Sequence, residues 1–137
     1  MKTLDGEEMR IIALFEAVTR AKVLDLIRRD DELYILIAPF PGGIKTLKPR
    51  ISEFSRATSK KVEVFIHSDD EERFVRSLLH RFQIRSLEIV EVDGRRIARV
   101  EVPLKDKGRV IGRGGRNLKV LNEILRRNSN IHEIKVL

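Results

Sequence analysis

The 137-residue sequence predicts an α+β protein built as two tandem copies of one small plan, each running α-β-β-α-α-β. Three observations carry that prediction. Helical and strand periodicities alternate in one order and then begin again near Ser68. Apolar positions recur at one constant offset, pairing Ile37 with Ile111, Ile44 with Leu118, Leu47 with Leu121 and Ile51 with Leu125. A hydrophobic content of 42% is enough to build packed cores despite 36% charged residues. The copies are read as residues 1–68 and 69–137.

The first copy opens with Ile11, Leu14, Phe15 and Val18 at helical spacing, with Glu7 and Glu8 suited to the positive end of the helix dipole. Two β-rich runs follow, Val23–Arg28 and Glu32–Ile37, and the short polar separator Arg29-Asp30-Asp31 reads as a hairpin. Ala38-Pro39-Phe40-Pro41-Gly42-Gly43 breaks the strand. Ile44, Leu47, Ile51 and Phe54 restore helical spacing, and Pro49 suggests two short helices rather than one. Val62–Ile66 is the last strand.

In the second copy, Ser68 with Glu71 three residues later predicts a capping box, opening a helix whose Phe74, Leu78 and Phe82 face one way. Leu87–Val92 and Arg96–Val102 are strands joined at Asp93-Gly94, a strong hairpin signal. A basic, glycine-rich stretch follows. Leu118, Leu121 and Leu125 then mark a helical stripe, and Ile131–Leu137 closes as a strand.

Composition narrows the function. The chain has 28 Lys and Arg against 21 Asp and Glu, a formal charge of +7, and so calls for a polyanionic partner, most often nucleic acid. The charge is uneven: residues 1–68 carry 12 basic and 10 acidic groups, residues 69–137 carry 16 and 11. Six Phe, one Tyr and no Trp give little support to binding by stacking bases across an aromatic sheet. With no Cys there are no disulfides, thiolate zinc sites or cysteine nucleophiles. No apolar run approaches the roughly 20 residues that span a bilayer, and Met1 to Glu8 is polar, unlike a signal peptide. A cytoplasmic protein without a membrane partner is expected. His67, His80 and His132 lack metal-ligand spacing, and no Ser is placed with a His and an acid as a nucleophilic triad. Neither enzymatic activity nor a cofactor or metal is expected.

The chemistry concentrates in Gly108-Arg109-Val110-Ile111-Gly112-Arg113-Gly114-Gly115-Arg116-Asn117-Leu118. From Lys105 to Lys119 there are six basic residues and one acidic one, Asp106. Gly112 and Gly115 bracket a tight turn directly before a helix, where glycine lets the main chain approach a ligand closely. A helix start offers N–H donors and a positive dipole end to a phosphate. Arg113 at the tip, flanked by Arg109 and Arg116, supplies charge where an anion would lie. The stretch lacks the Gly-Lys-Ser/Thr ending of a nucleotide-hydrolase phosphate loop. Asn117 stands where a dinucleotide fingerprint needs its third glycine or alanine.

Val110-Ile111-Gly112-Arg113-Gly114-Gly115, followed by Leu118 and Leu121, resembles the GXXG signature of a KH domain. The element order resembles the type II KH fold, a three-stranded sheet with helices on one face. That resemblance implies that Gly112, Arg113, Gly114 and Gly115 clamp the backbone of about four nucleotides of single-stranded RNA. Arg109, Ile111, Arg116 and Lys119 would line the same site, and the flanking helices and adjacent strand would form the groove for the bases. Nearly the whole chain is similar to the archaeal NusA-like transcription factors, which are little more than two fused KH domains. The likeness implies a monomer that acts in transcription termination or antitermination, with nascent RNA and RNA polymerase as partners. A KH-domain ribosome-assembly or ribosomal accessory protein is the alternative. One departure stands out: Ala38-Pro39-Phe40-Pro41 occupies the place of the first copy's GXXG, and proline has no N–H to donate. Gly42-Gly43 follow at once, leaving open a displaced binding loop or a purely structural turn.

Overall fold

A computed structural model describes residues 4–137, so the first three residues of the polar N-terminal stretch lie outside the described residues. The chain divides between His67 and Ser68 into two compact units, each with its own three-stranded sheet.

In the first unit, α1 (Gly6–Thr19) starts at a reciprocal cap. The Asp5 carboxylate accepts from the Glu8 N–H at 2.7 Å, and the Glu8 carboxylate accepts from the Asp5 N–H at 3.3 Å. Phe15 is fully buried, with Ile11, Ile12 and Val18 packed around the core, whereas Leu14 is 43% exposed. The apolar stripe is therefore rotated toward Ile12 from the face the spacing predicts.

β1 (Val23–Arg29) and β2 (Glu32–Ile37) form an antiparallel hairpin, with Asp30 at positive φ in the turn. β3 (Lys61–Ile66) pairs parallel to β2, a geometry that needs a crossover, and α2 (Gly43–Thr58) supplies it. Phe15 and Phe54 meet edge-on at 5.0 Å over a cluster that includes Leu26, Leu33, Ile35, Ile37, Leu47 and Val64.

Two expectations are corrected here. α2 is one continuous helix with Pro49 inside it. Pro49 is exposed, its ring faces away from the buried Leu47 and Phe54, and the core contacts on either side hold the helix through the missing bond. The first unit is therefore α-β-β-α-β, one helix short of the predicted order. Ile37 ends a strand while Ile111 ends a helix, so that pairing in the repeat is a coincidence of offset. Pro39 and Pro41 deny the segment after β2 a helix of its own. A turn from Phe40 to Gly43, closed by a 2.9 Å hydrogen bond, leads directly into α2.

The second unit begins with α3 (Glu71–Leu78). Asp70, not Ser68, caps it, accepting from the Arg73 N–H at 2.9 Å, while Ser68 Oγ accepts from the Asp70 N–H. Glu71 is thereby released from a capping role and holds Arg96 with both carboxylate oxygens. That carboxylate, chiefly through its hydrogen bond, raises Arg96 above the ordinary guanidinium pKa. Phe74 and Leu78 are buried as expected, with Val75 beside them, but the helix stops before Phe82, which sits in the following turn.

β4 (Ser86–Val92) and β5 (Arg95–Glu101) pair antiparallel around Asp93 and Gly94, both at positive φ. β6 (Ile131–Val136) runs parallel to β5. Between them lie α4 (Leu104–Ile111), a single 3₁₀ turn at Arg113–Gly115, and α5 (Arg116–Asn128). Val120, Leu121, Ile124 and Leu125 bury one side of α5. Along β5, Ala98 and Val100 are buried and Arg99 and Glu101 exposed, with Ile97 buried as well. Among the described residues, no helix is long and apolar enough to cross a membrane, and no His or acidic cluster is arranged to hold a metal ion.

Candidate functional site

The Gly112–Gly115 segment is the turn between α4 and α5, and each glycine has its own reason. Gly112 adopts φ 79°, ψ 168°, a region essentially reserved for glycine. A Cβ there would fall 2.8 Å from both the backbone nitrogen and the Cβ of Asn117. Gly114 is left-handed at φ 63°, ψ 20°, yet a Cβ on it would meet nothing within 4 Å. Its main chain is therefore bare on the solvent side. Gly115, also left-handed, is the N-cap of α5, and no side chain caps that helix start.

Local hydrogen bonds hold the turn. The Gly112 N–H donates to the Gly108 carbonyl at 2.8 Å and the Gly115 N–H to the Gly112 carbonyl at 3.0 Å. Asn117 reaches back so that its side-chain N–H donates to the Val110 carbonyl at 2.8 Å, binding the first turn of α5 to the last turn of α4. In the sequence, Asn117 reads only as a mismatch to a dinucleotide fingerprint. Its spacing of seven from Val110 becomes a signal once a helix-turn-helix geometry is assumed.

Charge is sorted by side. Lys105, Arg109, Arg113, Arg116 and Lys119 are exposed, and Asp106, the one acid of the stretch, is buried. Arg109 donates to the Asp106 carboxylate at 3.3 Å, so the single negative charge is turned inward and partnered. Ile111 is half-buried at the end of α4. All eight predicted site residues, Arg109, Ile111, Gly112, Arg113, Gly114, Gly115, Arg116 and Lys119, thus lie on one helix-turn-helix element. It presents an uncapped helix start, open main chain and cations together, a combination suited to a phosphate-bearing strand.

The counterpart turn of the first unit also has left-handed glycines and a helix start without a side-chain cap, Gly42 being the N-cap of α2, but Pro39 and Pro41 precede them. Gly42 (φ 83°) and Gly43 (φ 68°) are also left-handed, but Thr46 Cγ2 lies only 2.3 Å from where a Cβ on Gly42 would sit, and Thr46 Oγ1 bonds back to the Pro41 and Gly43 carbonyls. The side of Gly42 that would carry a Cβ is filled by Thr46.

No family model matches the chain. Over 136 residues it is 26% identical to the probable transcription termination protein NusA of Thermoplasma acidophilum, covering 98% of this chain and 94% of that one. The protein of the same name from Methanocaldococcus jannaschii is 26% identical over 140 residues, covering 98% of this chain and 74% of that one. That of Halococcus morrhuae is 28% identical over 136 residues, with 98% and 97% covered. The chain is similar to archaeal proteins that share the name NusA. The likeness extends to three dimensions. A solved structure described as "Crystal structure of APE1850" matches 98% of this chain and all of that one, at a TM-score of 0.70 and 26% identity.

Proposed function

We propose that this NusA-like chain is a non-enzymatic transcription termination or antitermination factor that engages nascent single-stranded RNA. In this reading the two units are fused type II KH domains, the first of them degenerate, and the protein works in the cytoplasm beside RNA polymerase. The relatives' shared name supports the role in transcription.

One observation carries the RNA reading: the Gly112–Gly115 turn leaves main chain bare beside an uncapped helix start while the surrounding cations face outward. Phosphates would set position on the turn and its arginines, and a few unstacked bases beside α4 would supply preference. The first unit lacks the extra helix, and Pro39 and Pro41 before its glycine turn have no N–H to donate, so it carries no equivalent clamp.

The test is the double variant Arg113→Asp, Gly114→Asp. Both positions are exposed, and Asp tolerates a left-handed backbone better than most residues, so the fold should survive. Two negative charges placed against phosphates should abolish binding to a labelled single-stranded RNA while circular dichroism stays unchanged. Wild-type affinity in the folded variant would refute the assignment of the site.

A further inference from the structure

Phe82 carries more than a packing role. It stands in the turn after α3, half-buried, with two guanidiniums near its ring. The Arg81 guanidinium carbon lies 5.0 Å from the ring centroid and that of Arg109 lies 5.4 Å from it. Both distances are within the roughly 6 Å over which a ring face attracts a cation. Arg109 is also held by Asp106, which is buried, so its charge is gripped by a ring and a carboxylate although its side chain is 66% exposed.

Two guanidiniums beside one ring concentrate positive charge at this end of α4, which draws an anion toward them. Arg109 precedes Gly112 by three residues of α4, about 5 Å along the helix axis. We infer that Arg81, Phe82 and Arg109 form a second phosphate subsite that continues the Gly112–Gly115 clamp along a single-stranded RNA, with Phe82 as the residue that positions Arg109. The inference rests on the reading of the glycine turn as a clamp. It extends the RNA path past the glycine turn to Arg81 in the turn after α3. A backbone phosphate suits the guanidiniums better than a base does, because it is charged and offers several acceptor oxygens.

The experiment measures affinity for a fluorescein-labelled single-stranded RNA of mixed sequence, by anisotropy, across a salt series. Loss of one phosphate contact lowers the slope of log affinity against log salt by about 0.7 for a single strand. Arg81→Ala should show that drop. Phe82→Leu should weaken binding by about three-fold, the scale of an exposed cation–aromatic contact, and Phe82→Tyr, which keeps the ring, should restore it. Thermal melts identify any variant that unfolds, and Arg81, being exposed, gives a readout independent of Phe82. A wild-type salt slope in Arg81→Ala, or equal loss in Phe82→Leu and Phe82→Tyr, would overturn the subsite. Binding abolished by Arg113→Asp, Gly114→Asp with Arg81→Ala unaffected removes the subsite alone. Binding retained in that double variant removes the clamp, and the Arg81 slope then judges the arginine pair separately.

Discussion

At Gly112 a single hydrogen atom decides the shape of the site. A Cβ there meets the backbone nitrogen of Asn117, which belongs to α5 and cannot swing away as a flexible side chain would. Gly112→Ala should therefore cost about 1–3 kcal/mol of folding stability, read by urea denaturation, because strain adds to the close contact. An unchanged midpoint would show that α4 and α5 can shift apart freely. The glycines and arginines of this turn were legible in the sequence because their spacing alone defines a bare, basic turn before a helix. Asn117, Asp106 and Phe82 were not, since each acts on a partner brought near only by folding. Phe82 misled for a specific reason: its spacing from Phe74 and Leu78 fits a helix that in fact ends at Leu78.

Elements followed their periodicity where the pattern had a single reading. The six strands lie within a residue or so of the runs read from β-rich segments, and the two-residue turn at Asp93-Gly94 stands where the dipeptide predicts it. Misreadings arose where a local rule competed with packing. Pro49 reads locally as a break, yet the buried Leu47 and Phe54 give α2 more by continuing than the lost hydrogen bond takes away. Ser68 and Glu71 fit a capping pattern, but Asp70 is nearer the helix start and Glu71 finds Arg96. Because Pro49 is exposed and packs on nothing in the core, Pro49→Ala should restore the Lys45 carbonyl bond. Stability should rise by about 1–3 kcal/mol, less whatever the proline contributes by restricting the unfolded chain. A fall in the melting temperature would mean that the proline ring is part of the packing.

On the scale of the whole molecule, duplication is real in the sheets and incomplete in the helices. Both units run a hairpin followed by a parallel third strand, but only the second has two helices in the crossover and a glycine turn between them. The charge follows the same division, with the larger basic excess in residues 69–137. Binding should therefore be borne almost wholly by the second unit. The most direct check is a ¹H–¹⁵N NMR titration of the full chain with a short single-stranded RNA, which reports every backbone amide at once. The amides of Gly112 to Arg116 should move most and saturate, while those of Phe40, Gly42 and Gly43 stay in place. Shifts concentrated at Phe40–Gly43, or absent from the Gly112–Arg116 amides at saturating RNA, would contradict the account.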